Sequence, residues 1–206
     1  RLEILSWANE NNVVILEDDY DSEYQSIGKP IPALMSLDTK QKVIYAGTMN
    51  QLMFPALGLG YLIVPPHLIK VYQSARKMAG DQMPLHVQNA VAQFIEEGHL
   101  HNHLKKLTTL YSVRRKKLIE SLATHFGNKV EVTGAASTGV FLSAIFESDL
   151  SSDEILSRAK AKGVGLTSSS HFYQSKTNPT SFVLGFGNLN EEEIEEGVRR
   201  LKQSMS

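Results

Sequence analysis

Apolar residues fall in short blocks separated by polar stretches, and the spacing inside each block predicts its element. Leu2, Ile4, Leu5, Trp7 and Ala8 recur at helical intervals and stop at Asn11-Asn12. VVILEDDY follows as a strand with acidic residues at its carboxyl end. The next polar stretch, with Gly28, Pro30 and Pro32, reads as a loop holding at most a short turn of helix. VIYAG and GYLIVP are β-branched and aromatic runs with the look of parallel strands buried on both faces. Between them lies a loop with Thr48, Asn50, Gln51 and Pro55, at a strand end where α/β folds place chemistry. Pro65-Pro66 start a helix to about Met78, and Pro84 opens another to about Glu97.

After Gly98, Leu100, Leu104, Leu107, Leu110, Leu118 and Leu122 keep near-helical spacing through to about Phe126. The rhythm then changes. KVEVT and GVFLSAIF read as strands, and SSDEILSRAKAKG as a helix with a serine cap and a glycine stop. VGLTSS and SFVLGFG read as strands flanking the loop HFYQSKTNPT. NLNEEEIEEGVRRLKQ is an amphipathic helix, acidic first and basic last, in keeping with the helix dipole.

Composition narrows the possibilities. A formal charge of -1 over 206 residues supplies no electrostatic reason for this segment to bind nucleic acid. The absence of cysteine excludes disulfides, cysteine zinc sites and thiol nucleophiles, and fits a reducing compartment. No apolar run approaches the ~20 residues of a membrane span, and the N-terminus lacks signal-peptide character. The expectation is therefore a cytoplasmic protein without membrane partners. Because the chain opens in the middle of a helical pattern, it reads as a fragment of a longer protein.

Taken alone, Glu17, Asp18, Asp19, Asp21 and Glu23 cap a strand end and solvate a loop. Asp19, Asp21 and Glu23 alternate as calcium ligands would, but Tyr24 stands where the sharp turn needs glycine. His99 and His103 share a helix face without a third ligand at a neighbouring turn, so they read as a solvated helix start, not a metal pair. Lys105, Lys106, Arg114, Arg115, Lys116 and Lys117 read as a solvated basic face. Ser168, Ser169 and Ser170 lack a nucleophile-elbow pattern.

Tyr45, Gly47, Thr48, Pro55, Leu57, Gly60 and Tyr61 fall in a register that resembles the cofactor loop of the MocR-type regulators of the GntR family. EDDYDSEY, FIEEGHLHNHLKKLTTLYSVRRKKL and VLGFGNLNEEEIEEGVRRL resemble further parts of the same family, in order. The resemblance implies an α/β fold, part of the aminotransferase-like fold of pyridoxal-phosphate (PLP)-dependent transferases. Residues 1–96 would be a remnant of the large domain with parallel strands, 97–126 a connecting helix, and 127–206 a small C-terminal α+β domain. It also implies PLP as the family cofactor. Asp18 would pair with the pyridine nitrogen and Tyr20 with the ring oxygen.

Four departures matter. The cofactor-anchoring lysine falls on Gln51, the serine before it on Asn50, and the phosphate-binding arginine on Gly58. The arginine that anchors a substrate carboxylate falls on Val183. Asp18, Tyr20, Thr48, Asn50 and Gln51 are therefore expected to form a vestigial PLP site without catalytic residues and without covalent PLP. His171 and Tyr173 are the effector-binding candidates. The expected role is an effector-sensing and dimerisation domain, homodimeric, responding to a small amine or amino-acid-like effector. DNA would be reached only through a winged-helix domain absent from these residues. The alternative is a PLP-dependent aminotransferase, or a regulator performing a half-reaction on PLP. A third reading is an interaction module that only pairs two DNA-binding arms.

Overall fold

The computed structural model describes residues 1–20, 22–24, 31–53, 57–80, 83–133, 139–172 and 180–206. They group into two compact lobes, Arg1–Glu23 with Lys29–Leu104, and Tyr24–Gly28 with Lys105–Ser206.

The first lobe opens with helix α1 (Leu2–Glu10), which buries Leu5 and Ala8 and leaves Leu2, Ile4 and Trp7 exposed. Strand β1 (Ile15–Asp19) pairs in parallel with β2 (Val43–Thr48), with Asp18 opposite Ala46 and Asp19 opposite Gly47. Two carboxylates set up this pairing. Glu17 accepts from the backbone N–H of Leu34 at 2.7 Å and Met35 at 3.0 Å, capping the short helix α2 (Leu34–Leu37). Asp38 accepts from the N–H of Lys40, Lys42 and Val43 and so anchors the turn into β2. Burial opposes ionisation of Asp38, but these backbone donors outweigh it and hold its carboxyl below the ordinary value. Helices α3 (Ile69–Ala79) and α4 (Leu85–Glu96) complete the lobe, α3 ending on Gly80 at φ 70°.

Strand β3 (Gly60–Ile63) corrects one expectation. It runs antiparallel to β2 at the edge of a three-stranded sheet ordered β1-β2-β3. It is not buried on two faces, since Leu62 and Ile63 are each about half exposed. The physical reason is the connection. Residues 49–59 are too few for a crossover back to the start of a parallel neighbour, which takes about a dozen or more. An apolar run reports what a strand can bury, not its direction.

Helix α5 (His99–Phe126) starts after Gly98, at φ 75°, and crosses from the first lobe's residues into the second's. The second lobe holds β4 (Val130–Thr133), β5 (Phe141–Phe146), α6 (Ser152–Ala161), β6 (Thr167–Ser168), β7 (Thr180–Gly185) and α7 (Glu191–Ser204). Its sheet is antiparallel with order β4-β5-β7-β6. Alternate residues Leu142, Ala144, Phe146, Phe182 and Leu184 face a core completed by Leu118, Leu122 and Phe126 of α5, Ile155 of α6, and Ile194, Val198 and Leu201 of α7. Ser151 and Asn190 each form a capping box, with Glu154 and Glu193; the serine cap was expected, and the asparagine cap is added by the structure.

The basic stretch of α5 is less solvated than its composition implies. Arg115 is buried, Arg114 donates to the Gly187 carbonyl, and Lys117 donates to Glu195 at 2.6 Å. Glu195 also accepts from Ser121 Oγ at 2.6 Å and lies 2.7 Å from His125 Nε2, so one carboxylate of α7 clamps two turns of α5. The hydrogen bond from Lys117, then those from Ser121 and His125, hold the Glu195 carboxyl at about 2, against an ordinary 4.5.

Two outcomes are expected. Truncating the fully buried Leu122 to alanine costs about 2–5 kcal/mol in denaturant unfolding. Because the folded pKa of Glu195 is depressed, its contribution is complete above about pH 4.5 and disappears as pH falls towards 2. Glu195→Gln should therefore lower the unfolding midpoint at neutral pH, and the gap to the unmodified chain should close between those two values.

Candidate functional site

Parallel strands bring their carboxyl ends to one edge, and the candidate residues of the first lobe follow from that. β1 ends at Asp19 and β2 at Thr48. Side chains alternate along each strand, so Asp18, Ala46 and Thr48 share one sheet face while Asp19, Gly47 and Tyr61 share the other. Asp18 is exposed on its face. Just beyond β1, the Tyr20 hydroxyl accepts a hydrogen bond from Gln51 Nε2, across 31 residues of sequence. The fold thus brings together Tyr20 and Gln51, which the chain keeps far apart.

Thr48 and Asn50 act mainly on their own loop. Thr48 Oγ1 accepts from the Asn50 N–H at 3.1 Å and donates to the Leu59 carbonyl at 3.5 Å. Asn50 Oδ1 accepts from the Leu59 N–H at 3.1 Å, and the Met49 N–H reaches the Leu59 carbonyl at 2.8 Å. These bonds close the base of the loop. Pro55 and Tyr173 lie outside the described residues. His171 lies in the 3₁₀ turn Ser169–Phe172, where Ser168 Oγ donates to Ser170 Oγ and Ser169 Oγ to the Ser181 carbonyl.

Gln51 determines what chemistry is open here. A carboxamide nitrogen is not a nucleophilic amine and forms no covalent bond with an aldehyde carbonyl as lysine does. Lys42 does not substitute, because it stands at the opposite end of β2 and donates to Asn12 Oδ1 at 2.6 Å. Gly58 has φ 65°, and a Cβ there would lie 3.1 Å from the Met83 methyl carbon. A groove of about 1010 Å³ runs past Gly58 between β3 and α3, with Leu62, Ile63, Ile69 and Tyr72 on its walls. Arg76 is the only charged group among its described lining residues.

Sequence reasoning missed the neighbouring tyrosine pair. Tyr45 Oη donates to Asp19 Oδ2 at 2.7 Å, and its ring lies 6.1 Å from that of Tyr61. Burial, then the bonds to Asp19 and Tyr61, push the Tyr45 phenol well above its ordinary value. Alternation puts Asp18 and Asp19 on opposite faces, but which of them shares the face of Tyr45 is set by the register of β1 against β2 and not by the sequence. Gly47 is required there, since a Cβ on it would fall 2.3 Å from the Tyr61 ring.

In the second lobe, Val183 pairs with Ser143 on one side and Thr167 on the other, on the sheet face opposite the core. His99 lies 3.1 Å from Glu97, and His99 and His103 both pack beside Phe94. Among the described residues no group of three or more ligating side chains could hold a metal ion. No described helix is long and apolar enough to cross a membrane. Replacing Asn50 by alanine removes one side-chain-to-backbone bond of the loop and should cost about 0.5–1.5 kcal/mol in unfolding. Gly47→Ala should perturb the Tyr45–Tyr61 pair, read as a change in tyrosine fluorescence.

No protein-family model matches the chain. Curated relatives match it along nearly its whole length. It is 37% identical over 203 residues to the uncharacterized HTH-type transcriptional regulator YhdI of Bacillus subtilis, covering 98% of this chain and 43% of that protein. It is 30% identical over 204 residues to the probable rhizopine catabolism regulatory protein MocR of Rhizobium meliloti, covering 99% of this chain and 41% of that one. Its fold superposes on the multiple substrate aminotransferase of Thermococcus profundus with a TM-score of 0.87 and 29% identity, over 98% of this chain and 50% of the enzyme. The chain spans less than half the length of those regulators. Matched in sequence to those regulators and in fold to the aminotransferase, the chain resembles the C-terminal region of MocR-type regulators and has the fold of a partial aminotransferase-like domain.

Proposed function

We propose that this chain is part of the effector-sensing, dimer-forming region of a MocR-type transcriptional regulator whose PLP site no longer bonds its cofactor covalently. The protein works in the cytoplasm as a homodimer and contacts DNA through a winged-helix domain elsewhere in the polypeptide. Its effector is a small amine or amino-acid-like molecule. One observation carries this reading: at the position of the anchoring lysine stands Gln51, its carboxamide bonded to the Tyr20 phenol.

The loss of charge at Gly58 supports the same conclusion. A charge-assisted hydrogen bond is worth roughly 1.5–3 kcal/mol, so its removal weakens phosphate binding by about one to two orders of magnitude. Asp18 and Tyr20 remain where a pyridine nitrogen and ring oxygen would be met. They favour the second reading, a PLP-dependent aminotransferase or half-reaction, which needs an amine from outside the described site. When bound, PLP supplies an aldehyde and an electron-withdrawing ring. This chain's own groups could only orient such a ring.

The purified chain should be incubated with PLP, treated with borohydride and mapped by peptide mass spectrometry. No adduct is expected within residues 43–64. Gln51→Lys should gain a borohydride-stable adduct at residue 51. A stable adduct on a side chain of the unmodified site would refute the reading and favour the enzyme.

A further inference from the structure

We draw no further inference here: the strongest candidate, the open groove between β3 and α3 in the first lobe, lined by Leu62, Ile63, Ile69 and Tyr72, is an unpartnered apolar face and nothing in the structure shows what covers it.

Discussion

Parallel pairing of β1 with β2 is the constraint on which the first lobe depends. Strands that run the same way end at the same edge, and that edge collects Asp18, Tyr20, Thr48 and Gln51 from segments some thirty residues apart. The pairing is itself held by carboxylates acting on backbone. Glu17 caps α2 and Asp38 gathers three amides at the start of β2. Acidic residues that composition alone assigns to solvent are therefore part of the frame.

The loop after β2 is closed by its own side chains. Thr48 Oγ1 and Asn50 Oδ1 each bond the backbone of Leu59 and so close the base of the loop. Gln51 donates to the Tyr20 phenol. A carboxamide both donates and accepts hydrogen bonds.

In the second lobe the organising force is burial, not polar pairing. One face of the antiparallel sheet, with α5, α6 and α7, forms a continuous apolar core. Glu195 then orients α7 on α5 through Lys117, Ser121 and His125.

Much of this was legible in the chain. Helical spacing located α1, α5, α6 and α7, because a helix that buries one stripe must write it every three to four residues. The serine cap of α6 was visible as well, since a cap needs only local geometry. The motif around Gln51 was visible too, and with it the resemblance to the MocR-type regulators that the matched relatives support. What one dimension could not supply was pairing and proximity. The antiparallel return of β3, the bond from Tyr45 to Asp19 and not Asp18, and the clamp on Glu195 all join residues distant in sequence. Local propensity carries no term for such contacts. They exist only once hydrophobic burial and strand pairing have closed the chain on itself.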